Sequence, residues 1–217
     1  RTLQAIGIAL LLGLFIIFKG GTDGTQGMTP QWWGILGLIG WTYLVTSVLY
    51  LFLFQRNIYL IAALLFFALL NIADHAGWIK SLLPNGPHEL IPGNGAFQLF
   101  AFLGIGATLL LERYKTTGQT AKLPLLYVAL GALLIAAGTL SRQFFIISKI
   151  QATPTWVFLC SGIAFITFAL VFWLVDLRGK VHWFDIIQTA GTATLTCYMI
   201  PYLFDIPVKG LIAHGVL

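Results

Sequence analysis

Seven long runs of apolar residues leave this chain few ways to fold. They lie at Thr2 to Phe18, Trp32 to Phe54, Ile58 to Trp78, Ala96 to Leu111, Leu123 to Leu140, Thr155 to Val175 and Phe184 to Phe204. A helix needs about 20 residues to cross the hydrocarbon core of a bilayer, and these runs match that length. They are continuously apolar and do not alternate, as strands between lipid and a polar lumen would, so helices are predicted and barrel strands are not. The expected fold class is an all-α, polytopic transmembrane helix bundle of about seven spans, occupying residues 1–217 as a single transmembrane domain.

Composition supports the same solvent. Of 217 residues, 59% are hydrophobic and 9% charged, and the mean hydropathy is +0.91. A soluble fold of this size cannot hide so much apolar surface, and the lipid bilayer is therefore the first predicted partner. Twelve Lys and Arg against seven Asp and Glu give a net charge of +5. In a membrane protein such an excess marks cytoplasmic loops and anionic headgroups, which argues against nucleic acid as a partner. Cys160 and Cys197 sit inside apolar runs, where a thiol behaves as a small hydrophobe. The chain opens at Arg1 directly into an apolar run with no clean cleavage site, and is read as the middle or end of a longer protein.

Counting Lys and Arg on alternate sides orients the spans. Arg1, Arg56, Arg113, Lys115, Lys122, Arg178 and Lys180 fall on one side; Lys19, Lys80, Arg142, Lys149 and Lys209 fall on the other. The first set places its side in the cytoplasm, which puts the polar insert from Asn71 to Gln98 on the outer face. Glycines in rows, Gly34, Gly37 and Gly40 or Gly104 and Gly106, are read as close-packing positions between helices. Trp32, Trp33, Trp156 and Trp183 lie at run ends, as an interfacial belt requires. No internal repeat is visible.

The Asn71 to Gln98 insert is where chemistry is expected. Asp74 and His75 close the third run, and an ionisable group at membrane depth is a functional candidate unless it has already reached water. His88 and Glu89, between Gly86-Pro87 and Pro92-Gly93, sit in backbone that cannot be regular helix. A His beside a carboxylate can serve as a base with its orienting partner; a solvated loop is the alternative. The four His, at 75, 88, 182 and 214, lack metal-ligand spacing, and no Cys lies near them, so no metal site is predicted. On the cytoplasmic side Arg113, Lys115, Lys122, Arg178 and Lys180 could hold the phosphates of a nucleotide-bearing donor, or could simply anchor to anionic lipid.

Two stretches carry a resemblance. The first is His88-Glu89-Leu90-Ile91-Pro92-Gly93 leading to Phe102-Leu103-Gly104 and Tyr114-Lys115. The second is Ile147-Ser148-Lys149, Thr153 to Trp156, Val175-Asp176-Leu177-Arg178-Gly179, and Gly191 with Leu195 and Tyr198. In order and spacing these resemble the heparan-alpha-glucosaminide N-acetyltransferase family and its bacterial membrane homologues. The resemblance implies an integral protein of the bacterial inner membrane that takes acetyl from cytoplasmic acetyl-CoA and delivers it to an amino sugar on the outer, periplasmic side.

In that reading Glu89, with His88, is the catalytic pair. Asn71, Asp74 and His75 line the amino-sugar site, and Arg113, Lys115, Arg178 and Lys180 face acetyl-CoA. The segment that carries the family's catalytic His has no counterpart here and is expected upstream. Ala193 stands where the family has Asn, and Pro201 where it has His. A small-molecule transporter, whose helices would break near Gly191 and Pro201, and a non-catalytic membrane subunit are the alternatives. Assembly into a homo-oligomer is left open.

Overall fold

The computed structural model describes residues 2–20, 23–28, 34–54, 56–82 and 94–213, with side chains at 202 and 206–213 excepted. Among them the architecture is all-helical: α1 (Thr2–Ile17), α2 (Ile35–Leu53), α3 (Asn57–His75), α4 (Trp78–Leu82), α5 (Ala96–Thr116), α6 (Leu123–Ser141), α7 (Pro154–Phe172), α8 (Asp185–Thr192) and α9 (Thr194–Ala213). A 3-10 turn at Thr120–Lys122 leads into α6, and a five-residue π-helical stretch, Trp173–Leu177, prolongs α7. An isolated bridge between Gly20 and Gln26 is the extended pairing in the described residues.

Local sequence explains the helix ends. After α3, Ala76 N–H donates to the Ile72 carbonyl at 2.8 Å and Gly77 N–H to the Asp74 carbonyl at 3.0 Å. Gly77 has φ +77°, the left-handed conformation that stops a helix at little cost in glycine. Helix α7 starts at Pro154, whose missing N–H is no loss in a first turn, and the Thr153 carbonyl accepts from Val157 N–H at 3.0 Å. Gly118, at φ +68°, closes α5 in the same manner as Gly77 closes α3.

Among the described residues, five helices are long and apolar enough to cross a membrane: Ile35–Leu53, Asn57–His75, Ala96–Thr116, Thr120–Ser141 and Pro154–Leu177. The first run forms a helix of 16 residues, shorter than these. The last run divides at Ala193, with φ −117° and ψ 42°, into α8 and α9. Thr189, Gly191 and Thr192 precede the break, and such residues hold a helix weakly. Large apolar side chains stand exposed along the spans, Leu51, Phe52, Leu69 and Leu133 among them. Hydrocarbon is the solvent that tolerates such a surface, so the chain is an integral membrane protein.

The chain forms two compact units, residues Arg1–Leu109 with Ile135–Ser161, and Leu110–Leu134 with Gly162–Leu217. The core of the first unit joins Leu60, Ala63 and Phe67 of α3 to Ala96, Leu99 and Phe102 of α5, with Ala152 and Val157. Phe67 and Phe102 stack at 5.6 Å between ring centroids, and Trp156 meets Phe97 and Phe100 edge-on. In the second unit Tyr127 is enclosed by Phe165 and Phe168, at 5.7 and 5.4 Å.

Three of the glycines the sequence pointed to, Gly40, Gly104 and Gly106, do not face a close neighbour, and others do. A Cβ at Gly40, Gly104 or Gly106 would meet nothing within 4 Å, whereas one at Gly131 would lie 2.8 Å from the Gly162 carbonyl oxygen and 2.7 Å from Ile166 Cγ1. At Gly138 it would lie 2.8 Å from Leu159 Cγ. Glycine spacing alone does not show which face of a helix meets a neighbour.

Candidate functional site

The polar residues at the end of α3 are drawn together by the segment before α7. Asn71 is buried, with 1% of its surface exposed. Its Nδ2 donates to Asn94 Oδ1 at 2.8 Å and to the Ala152 carbonyl at 3.1 Å. Both amide hydrogens are thereby committed to oxygens, which fixes the orientation of the carboxamide. Asn94 Nδ2 in turn donates to the Gln151 carbonyl at 3.2 Å.

His75 lies one turn beyond Asn71. Its Nδ1 is 2.9 Å from the Asn71 carbonyl oxygen and its Nε2 is 3.1 Å from that of Gln151. Both nitrogens face acceptors, and the ring also meets Phe145 edge-on at 6.2 Å. A general base needs a lone pair turned toward a proton donor. Here the ring instead ties the end of α3 to the loop before α7. Asp74 is half-buried beside it, and its carboxylate takes no part in this network among the described residues.

That loop is braced from within. Thr153 Oγ1 accepts from Ser148 N–H at 3.1 Å, Ser148 Oγ accepts from Gln151 N–H at 3.2 Å, and Thr155 Oγ1 donates to the Phe145 carbonyl at 2.9 Å. Ala152 is held at φ +51° and Asn94 at φ +52°. Left-handed backbone is costly for alanine, by about 1–2 kcal/mol, while asparagine tolerates it better. The strain at Ala152 accompanies the turn that delivers its carbonyl to Asn71.

Deeper along α5, Gln98 is fully buried, and among the described residues neither Nε2 nor Oε1 has a hydrogen-bond partner. Asn71 Oδ1 has no hydrogen-bond partner among the described residues either. Sequence reasoning included Gln98 and Asn94 in the insert without singling them out. The available signal was an amide residue at the very start of an apolar run, where burial is to be expected. Gln151 and Ala152 act through backbone carbonyls, which no residue pattern announces.

The remaining predicted residues fall elsewhere. His88 and Glu89 lie outside the described residues. Arg113 and Lys115 occupy the last turn of α5, where the helix dipole favours cations. Lys122 Nζ donates to Gln119 Oε1 at 3.3 Å. The Arg178 guanidinium lies 4.8 Å from the Trp173 ring centroid, and Lys180 Nζ lies 5.8 Å from that of Trp183. All five are exposed or lie at helix ends in the second unit, and among the described residues no hydrogen bond joins one to another. The structure thus gathers Asn71 and His75, leaves the Asp74 side chain beside them, and keeps each basic residue on its own local support. Comparison with known protein families, with curated proteins and with solved structures finds no match.

Proposed function

We propose that this chain is a membrane-embedded acyltransferase, moving acetyl from acetyl-CoA on the cytoplasmic side to the amino group of a sugar on the outer, periplasmic face of a bacterial inner membrane. One observation carries the reading. The first stretch of the resemblance runs on past Asn94 into α5, the second begins at Ile147, and the two meet through Asn94 to Gln151 and through Phe97 and Phe100 on Trp156. Asn71 and His75, selected for a different reason, are bonded into the same cluster.

The reaction asks for three things. Over the whole transfer the thioester C–S bond breaks, an amide C–N bond forms on the sugar nitrogen, and the proton lost by nitrogen ends on the thiol of CoA. Glu89, with His88, is the pair assigned to proton transfer by the resemblance. Asn71, Asp74 and His75 are assigned to the acceptor side, where a fixed polar cluster holds a sugar in one orientation. Arg113, Lys115, Arg178 and Lys180 are assigned to the phosphates of the donor.

The test is transfer of labelled acetyl from acetyl-CoA to glucosamine in membranes containing the protein, beside Glu89→Gln. Product that disappears in Glu89→Gln supports the reading. No product across a panel of amino sugars, from folded protein, removes it. A transporter is the second reading, favoured by the division of the last run at Ala193, since broken helices line the sites of many carriers. Uptake of a labelled solute into proteoliposomes without acetyl-CoA would favour that alternative.

A further inference from the structure

We infer that residues 142–150, between α6 and α7, form a docking surface for anionic phospholipid, with apolar side chains entering the headgroup layer and two cations meeting lipid phosphates. The span before the segment, Thr120–Ser141, has 22 residues. At about 1.5 Å per residue it is about 33 Å long, enough to use up a hydrocarbon core of about 30 Å. The segment therefore starts at headgroup level. It is nonetheless apolar: Phe144 is 79% exposed and Ile150 98%, and Ile146 and Ile147 lie exposed in the chain between them. Leu140 is exposed at the end of α6, so the apolar surface continues from the lipid-facing side of the span.

One side of the segment is committed to the protein. The Phe145 ring meets His75 edge-on at 6.2 Å, and the Phe145 carbonyl accepts from Thr155 Oγ1 at 2.9 Å. Ser148 N–H donates to Thr153 Oγ1 at 3.1 Å, and the Ser148 carbonyl accepts from Thr153 N–H at 3.2 Å. The Lys149 carbonyl accepts from Ala152 N–H at 3.2 Å, closing a turn in which Lys149 and Ile150 are both exposed. Turning the exposed side chains inward would break these bonds, so the loop presents them from a braced backbone.

Charge selects the occupant. Arg142 and Lys149 are exposed, each within two residues of an exposed large apolar side chain. The chain has no Asp or Glu between Glu112 and Asp176. Through the contact of His75 with Gln151, the end of α3 lies beside the segment and brings half-buried Asp74, followed in α4 by exposed Trp78 and Lys80. In the segment, the end of α3 and α4, Arg142, Lys149 and Lys80 thus stand against Asp74 alone. Cations next to exposed apolar and aromatic side chains at headgroup depth are what an anionic membrane surface attracts. A second copy docked through the same surface would set like charges against each other. The inference does not rest on the acyltransferase reading, since it needs no acetyl donor.

The experiment places a fluorophore at position 150 through Ile150→Cys, in nanodiscs of mixed phosphatidylcholine and phosphatidylglycerol. It is quenched with doxyl-labelled phosphatidylglycerol or, at equal mole fraction, doxyl-labelled phosphatidylcholine. Labelled wild-type protein, whose thiols include Cys160 and Cys197, supplies the background. Quenching by the anionic lipid is expected to exceed that by the zwitterionic one by about twofold or more at low salt, and the excess to shrink as salt is added. Adding Arg142→Gln and Lys149→Gln is expected to equalise the two. Ile146→Cys provides a second attachment point should Ile150→Cys fail to fold, with thermal unfolding as the check on each variant. Equal quenching by the two lipids with both cations in place overturns the inference. So does a lipid preference that persists in the folded double variant. Absence of quenching by either lipid overturns it as well, whether water or protein, a second copy included, surrounds the position.

Discussion

His75 Nε2 lies 3.1 Å from the carbonyl oxygen of Gln151, a residue 76 positions further along the chain. With Nδ1 set 2.9 Å from the Asn71 carbonyl oxygen, the ring spans from the end of α3 to the loop ahead of α7. His75→Phe preserves the edge-on ring against Phe145 and removes both polar contacts. It is expected to destabilise the protein by about 1–3 kcal/mol, the range for losing one or two partly buried hydrogen bonds. Thermal unfolding in micelles measures this, and an unchanged midpoint would mean that the ring bears no structural role.

Ala152 offers a change of opposite sign. Its φ of +51° is a conformation glycine adopts freely, and its function in the cluster is carried by the backbone carbonyl. Ala152→Gly is expected to gain up to about 1 kcal/mol, because relief of left-handed strain exceeds the added entropy of the unfolded chain. Ala152→Val, with a branched β-carbon at the same φ, should lose more than that. The pair of melting curves moves in opposite directions if the turn is as described.

The glycines separate by neighbour. Gly131→Ala would bring a methyl to 2.8 Å from the Gly162 backbone oxygen, and Gly138→Ala would bring one to 2.8 Å from Leu159 Cγ. Each is expected to cost about 1–3 kcal/mol through overpacking. Gly104→Ala, with open space around it, is expected to gain about 0.5–1 kcal/mol from helix propensity. Comparing unfolding midpoints of the three variants tests the packing directly.

Arg178, stacked on Trp173 at 4.8 Å, tests the donor side of the proposed reaction. Arg178→Ala is expected to raise KM for acetyl-CoA several-fold with little change in kcat, the pattern of lost uniform binding. The difference between wild type and variant should shrink as salt is added, because exposed charges are screened within about 10 Å at 0.1 M. A KM that does not move would assign the residue to its tryptophan or to lipid headgroups alone.

By itself the sequence determined the solvent, the helical class and the approximate position of the five spans found among the described residues, because length and continuity of apolar runs answer directly to the thickness of a bilayer and the need to satisfy backbone polar groups within it. It also marked Asn71 and His75, since polar groups are conspicuous in such a chain. Tertiary structure alone decided what they meet. Asn71 reaches Ala152, 81 positions away, only because α3 packs on α5 at Phe67 and Phe102 and because Ala152 takes a left-handed turn. The break at Ala193, the glycines that lie against a neighbour and the isolation of Gln98 were likewise decided by packing. They depend on which helix faces touch, and in lipid a face turned to a neighbour can be as apolar as one turned to the bilayer.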